Sequence, residues 1–182
     1  EKVDYDENHR WWQFWRDRPE LQKAISKFND VFVKTRISKT FAIQKINCDK
    51  IFADGIVVFA FTKMSVFSIL QSCFHENWAW KYCTTMKTDM NYGPTRIFEI
   101  FPFPQNLSEK SESVLERIGS HYHGHRRQIM QKLNLGLTKI YNLFHQKDLS
   151  VADVIKASKQ LQEVCESAYE DIIKLRELQK QM

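Results

Sequence analysis

The sequence predicts an α+β fold, a small mixed sheet with packed helices, followed by a helical C-terminal domain. Three observations carry that reading. Short runs rich in β-branched and aromatic residues are confined to the part before Pro102. Stretches with apolar residues at helical spacing fill the part after Pro104. Between them, Phe101-Pro102-Phe103-Pro104-Gln105 interrupts both periodicities, because proline lacks a backbone donor and restricts the residue before it. The division therefore falls at 1–105 for the α+β domain and 106–182 for the helical one.

Taken in order, Arg18-Pro19-Glu20-Leu21 opens a helix running to about Phe28, with Asp17 as N-cap and Pro19 in the first turn. Val31 to Ile37 alternates and reads as a strand, and Phe41 to Ile46 repeats the pattern. After the Asp54-Gly55 turn, the continuous apolar run Ile56 to Phe61 fits a strand buried on both faces. Phe67, Leu70, Phe74, Trp78 and Tyr82 recur at helical spacing, predicting one amphipathic helix from a Ser65 cap to Tyr82. Asn91-Tyr92-Gly93-Pro94 is a loop and Arg96 to Phe101 a last short strand. In the second part Ser108 caps a helix carrying Leu115, Ile118, Tyr122, Ile129 and Leu133. Gly119 and Gly124 each weaken it by roughly 1 kcal/mol relative to alanine, which leaves room for a kink. A short helix, Leu137 to Phe144, follows, and Ser150 starts a long one ending near Gln179.

The chain has 182 residues, which suits one domain or two small ones. It opens on Glu1 within a polar, aromatic stretch, which reads as a piece, or one end, of a larger protein. It has no apolar run long enough for a transmembrane helix and no signal-peptide pattern, so no membrane partner is expected and the location expected is the cytoplasm. Cys48, Cys73, Cys83 and Cys165 form no CxxC pair and read as buried free thiols. Twenty-seven cations against 22 acids give a formal net charge of +5, too mild to prove nucleic-acid binding by itself. The distribution is more telling: Val31 to Lys50 holds five cations (Lys34, Arg36, Lys39, Lys45, Lys50) and one acid.

Catalytic signatures are absent from this sequence. It has no GxGxxG, no phosphate loop, no GxSxG elbow and no Asn/Asp-Pro-Pro-aromatic element. His75-Glu76 begins like a zinc-protease helix, but position 79 is alanine, so the second imidazole is missing and the pair reads as a polar helix edge. His121, His123 and His125 alternate, which on a helix turns them apart, and they read with Arg126 and Arg127 as a solvated basic turn. No metal site is assigned. The cations from Lys34 to Lys50 have two readings, the wet face of a sheet or a phosphate-tracking surface. Lys34 and Arg36, two apart on one strand, favour a coherent patch. Lys87, Asp89 and Asn91 lie in a polar loop and carry groups that match guanine, cytosine and adenine edges, though any surface contains such residues.

Five strings in order carry a resemblance: Trp11-Trp12-Gln13-Phe14-Trp15-Arg16-Asp17-Arg18-Pro19-Glu20-Leu21, Val31-Phe32-Val33-Lys34-Thr35-Arg36-Ile37-Ser38-Lys39, Ile69-Leu70-Gln71-Ser72-Cys73-Phe74-His75-Glu76-Asn77-Trp78, Phe98-Glu99-Ile100-Phe101-Pro102-Phe103-Pro104 and Asn134-Leu135-Gly136-Leu137-Thr138-Lys139-Ile140-Tyr141-Asn142-Leu143-Phe144. Together the chain resembles the C-terminal half of MmeI-like type IIG restriction-modification enzymes and their N6-adenine methyltransferase relatives. The resemblance implies a target recognition domain, closed by the Phe-Pro-Phe-Pro element, and a helical tail. It also implies a parent in which a nuclease and a methyltransferase precede them, with S-adenosylmethionine and Mg2+ used there and no cofactor in this part. The expected partners are double-stranded DNA and the methyltransferase domain of the same parent chain, the DNA being positioned for flipping and methylation of an adenine.

By that resemblance Lys87 and Asp89 are the first candidates for base contacts, with Asn91 beside them. Lys34, Arg36 and Lys39 are assigned to phosphates, and Arg96 to either role. The loop Thr84 to Met90 departs from the family in lacking its Gly-Arg start. A reading of another class makes the chain a scaffold module docking through Trp11, Trp12 and Trp15, since aromatics are common interface anchors.

Overall fold

A computed structural model describes residues 18–182. It is α+β, as the sequence predicts. Helix α1 (Pro19–Ile25) starts with its proline in the first turn and ends before Phe28. Arg18 stands at its N-cap without a capping side chain, and Nη1 donates instead toward the carbonyls of Phe52 and Ala53 at 3.5 and 3.4 Å. The expected cap, Asp17, lies outside the described residues.

Six strands follow among the described residues: β1 (Asp30–Thr35), β2 (Ile37–Ser38), β3 (Gln44–Asn47), β4 (Ile56–Phe59), β5 (Thr84–Met86) and β6 (Asp89–Asn91). They form two antiparallel sheets, ordered β3-β1-β4 and β2-β6-β5. The single strand expected over Val31–Ile37 therefore serves both sheets. The chain crosses between them at Arg36, whose N–H donates to Gly55 O and whose carbonyl accepts from Tyr92 N, both at 2.8 Å. Side chains alternate across β1. Val31 and Val33 pack with Ile25 and Phe52 in a small cluster, while Phe32 faces the main core.

Phe41 to Ile43 is extended in sequence character but pairs with no strand among the described residues. Side chains take the place of a ladder, as buried backbone polar groups demand. Gln71 accepts from Ile43 N at 2.8 Å and donates to Phe41 O at 3.1 Å, and Arg126 donates to Ile43 O at 2.7 Å.

The helix expected from Ser65 to Tyr82 is two, α2 (Met64–Gln71) and α3 (Cys73–Tyr82). Ser72 breaks it in an extended conformation and caps α3 by accepting from His75 N at 3.2 Å. Ser65 is buried within α2, and its N–H donates to Glu116 at 2.6 Å. The strand expected at Arg96–Phe101 is instead the short helix α4 (Pro94–Ile97), held by Trp78 Nε1 donating to Ile97 O at 3.1 Å.

The rest is helical: α5 (Glu109–Leu133), α6 (Leu137–His145), α7 (Val151–Ser158) and α8 (Gln162–Gln181). Ser108 caps α5 as expected. The long helix expected from Ser150 is split at Lys159, which adopts left-handed backbone with φ 59°. No break occurs at Gly119 or Gly124. A Cβ at Gly119 would stand 2.4 Å from Ser68 Oγ and 2.5 Å from Met64 O, so this glycine lets α5 lie directly against α2. The main core runs from Phe32, Phe67 and Tyr92 through Tyr122 and Ile129 to Ile172 and Leu178, and is continuous across the proline segment. All four cysteines are free, and only Cys165 is buried; Cys73 is exposed. Among the described residues no helix is long and apolar enough to cross a membrane.

Candidate nucleic-acid interface

The middle strand of the second sheet, β6, determines which side chains share a face. Directly opposed residues of an antiparallel pair point to the same side, and so do alternate residues along a strand. Asn91 opposes Ile37 on β2 and Thr84 on β5, and Asp89 opposes Met86. These five side chains share one face. Met90, opposed to Ser38 and Thr85, points the other way and is 1% exposed in the main core. The face opposite Met90 therefore looks outward, and Met86 on it is 58% exposed.

The hairpin between β5 and β6 turns through two residues, Lys87 and Thr88. A turn this tight wants positive φ, and Lys87 supplies it at 58°. That conformation costs a side-chain-bearing residue roughly 1–2 kcal/mol. Its effect is to put an exposed ammonium at the tip of the hairpin.

Arg36 stands at the crossover between the sheets, and its Nε donates to Asn91 Oδ1 at 3.3 Å. Its flank also lines a cavity of about 350 Å3 with Arg18, Phe59, Phe61 and Phe98. Lys39 is exposed just past β2, and continuing the register by one residue would set it opposite Asp89. Arg96 is exposed on α4. None of Arg36, Lys39, Lys87 and Arg96 is paired with a carboxylate among the described residues, whereas Lys45, Lys50, Lys63 and Lys132 are.

Lys34 departs from the surface position its charge predicts. It does not share a surface with Arg36. It lies on the Phe32 side of β1, facing the main core, and is 1% exposed. Nζ donates to Thr35 O at 3.1 Å and sits 5.3 and 5.5 Å from the rings of Phe41 and Tyr92. Burial lowers its pKa to about 8, opposed by the negative potential of Glu76 and then Cys83. An ammonium so enclosed presents nothing to a phosphate.

Residues 22–105 match the family model described as MmeI, target recognition domain. This segment is a target recognition domain of the MmeI family. The chain is also similar to the solved structure of the type IIL restriction-modification enzyme MmeI in complex with DNA, at 16% identity and a TM-score of 0.55, over 82% of this chain and 20% of that one. At that identity the likeness is one of fold, and it reaches into the helical tail, since the recognition segment alone cannot supply 82% of the chain. The chain spans about a fifth of that enzyme's length. None of the curated proteins matches it.

Beneath the recognition domain's second sheet, Tyr92 OH donates to His75 Nε2 at 3.0 Å, while His75 Nδ1 donates to Leu70 O at 2.7 Å. Burial depresses the imidazole to about 4, and raises the Tyr92 phenol. His75 is thus a neutral strut, wholly buried rather than a helix edge. Glu76, its carboxyl raised by burial, accepts from Gln179 Nε2 at 3.1 Å and lies 3.6 Å from His145 Nε2, tying α8 and α6 to the recognition domain. A cleft of about 320 Å3 opens there, lined by Lys39, Thr40, Glu76, Trp80, Tyr141 and His145 among others.

The basic turn expected at 121–127 is a stretch of α5, and Arg126 within it is 1% exposed. Only Arg127 and His121 of that group are exposed, while His125 donates to Asp171 O at 2.9 Å. Among the described residues no three His, Cys, Asp or Glu side chains converge as a metal site would require. Trp11, Trp12 and Trp15 lie outside the described residues. Sequence reasoning missed Ile37, Thr84 and Met86 as members of the outward face. The signal was present in the alternation Thr84-x-Met86 and Asp89-x-Asn91 around two residues, but no glycine or asparagine marked the turn.

Proposed function

We propose that the recognition domain reads the sequence of double-stranded DNA for a restriction-modification enzyme, with Lys87, Asp89 and Asn91 contacting base edges and Arg36, Lys39 and Arg96 holding phosphates. The observation that supports this best is the outward face of the second sheet. It carries Asp89 and Asn91, ends in the exposed Lys87 tip, and is bordered by Arg36 and Lys39, neither paired with a carboxylate among the described residues. The β5–β6 hairpin of this sheet is a two-stranded ribbon, which the major groove admits and where base edges present distinct donors and acceptors. Lysine at a left-handed turn position that glycine or asparagine would occupy at less cost fits a side chain kept for contact. The MmeI family match and the fold likeness to an enzyme solved in complex with DNA support the same reading.

In this reading the bound DNA is positioned for adenine-N6 methylation, and in a cleaving parent for cleavage, by the methyltransferase and nuclease domains of the same parent chain in the cytoplasm. S-adenosylmethionine and Mg2+ belong to those domains, and this part contributes no catalytic group. The helical tail, joined to the recognition domain by one core, sets its orientation toward the methyltransferase domain. Fluorescence anisotropy with a mixed-sequence duplex at two salt concentrations tests the reading. Binding that weakens steeply with salt is expected; no binding at low salt, or binding indifferent to salt, overturns it.

A further inference from the structure

The outward face of the second sheet carries more than polar candidates. Met86 is 58% exposed on the edge strand β5, and Ile37 is 41% exposed on β2. Edge strands are ordinarily blunted with charge or proline, so an exposed methionine there has no solubility rationale. Its register is informative. Met86 directly opposes Asp89, which sets their Cβ atoms roughly 5 Å apart on one side of the hairpin. Whatever Asp89 reaches, Met86 reaches too, or its immediate neighbour.

Base edges in the major groove offer one apolar group, the C5-methyl of thymine, and an A·T pair displays it on the far side of thymine O4 from the N6 donor of adenine. An acceptor and an apolar side chain standing opposite one another suit an amino donor, cytosine N4 or adenine N6, with a thymine methyl next to it. The cations that border the face, Arg36 and Lys39, complement the phosphates on either side of a groove rather than an apolar protein surface.

We infer that Met86 is a specificity residue that reads a thymine C5-methyl next to the base contacted by Asp89. The inference rests on the DNA-reading function proposed above and adds an apolar contact to it.

The test uses the full 182-residue chain and a pool of random duplexes, enriched by binding. The enriched duplex is then resynthesised with deoxyuridine replacing each thymine in turn, which deletes a methyl and nothing else. One position is expected at which the wild-type chain loses roughly fourfold in affinity, the worth of one buried methyl. Met86→Ala should bind both duplexes alike at that position and enrich any base there, and Met86→Leu should keep the thymine preference. Unchanged thermal unfolding of both variants separates lost reading from lost folding. If no thymine responds, or Met86→Ala responds as the wild type does, the inference is wrong while DNA reading stands; a side chain wedged between base steps would give that result. If the wild-type chain enriches no sequence, the DNA-reading function itself fails and this inference with it.

Discussion

Arg126 Nη2 donates to the carbonyl of Ile43 at 2.7 Å, bridging the helical tail and the recognition domain. The same guanidinium donates through Nη1 to Tyr141 OH at 2.9 Å and Gln71 Oε1 at 3.4 Å, and lies 5.5–5.9 Å from the rings of Phe67, Tyr122 and Tyr141. It has no carboxylate partner among the described residues. Its charge is held by carbonyl, amide and hydroxyl dipoles and by aromatic faces. Removing it would strand a buried carbonyl and open a cavity, terms that together reach about 3 kcal/mol or more. Arg126→Ala is expected to lower unfolding free energy by that order in urea, and Arg126→Lys by about half, since one ammonium cannot span both anchor points. A loss under 0.5 kcal/mol for Arg126→Ala, the range of ordinary surface substitutions, would mean the bridge holds nothing.

Two glycines on one helix should respond in opposite directions. Alanine gains roughly 1 kcal/mol of helix propensity over glycine. At Gly124 nothing lies within 4 Å of an added Cβ, so Gly124→Ala should gain most of that. At Gly119 the added carbon meets Met64 O, which is backbone and cannot swing away. Overpacking of that kind costs about 1–3 kcal/mol, so Gly119→Ala should be neutral to destabilising. Thermal melts of the pair check this, and equal stabilisation by both would show that α2 and α5 are not so closely apposed.

The contrast marks what the sequence made legible. Apolar periodicity and capping residues gave the α+β class, the cap at Ser108 and the helix at Leu137, because these depend on neighbours in sequence. Ser72 and Lys159 broke helices that periodicity ran together, because apolar spacing stays in phase across a one-residue break and says nothing of φ and ψ. Lys34 and Arg126 were misjudged for a different reason. Charge argues for the surface, and only tertiary partners can reverse that; Phe41, Tyr92 and Thr35 enclose Lys34, while Ile43, Gln71 and Tyr141 enclose Arg126. Asp89 and Asn91 were found as a pair, but their shared face with Ile37 and Met86 depends on strand register, which no local pattern gave.

Burial of Lys34 predicts a pH dependence of stability. Its pKa falls from the ordinary 10.5 to about 8 on folding. The unfolded chain therefore binds more protons between those values, and stability rises with pH there. The penalty is full below pH 8 and fades toward 10.5. Other groups titrate in the same range, among them Cys48, whose thiol is pushed up by burial and by Asp30 and Asp49. The difference between wild type and Lys34→Met isolates the lysine. That difference should shift in favour of the wild type by about 2 kcal/mol between pH 8 and pH 10. Urea titrations at the two pH values measure it, and a difference that does not move means the ammonium is solvated.

Placement of Lys34 in the core also separates it from the cations assigned to phosphates. Each phosphate contact contributes about 0.9 to the slope of log affinity against log salt. Lys39 and Arg96 are exposed and unpaired among the described residues, so Lys39→Ala and Arg96→Ala should each flatten the slope by about that amount with little change in base preference. Lys34→Met removes a charge of the same sign from the adjacent strand and should leave the slope unchanged. Lys132→Ala is the control for a cation on the far helix, where Asp171 already neutralises it. Anisotropy titrations of one duplex across a salt series distinguish these outcomes. Equal flattening by all four variants would reflect only net charge. Flattening confined to Lys39 and Arg96 ties binding to those two cations of the recognition domain rather than to charge in general.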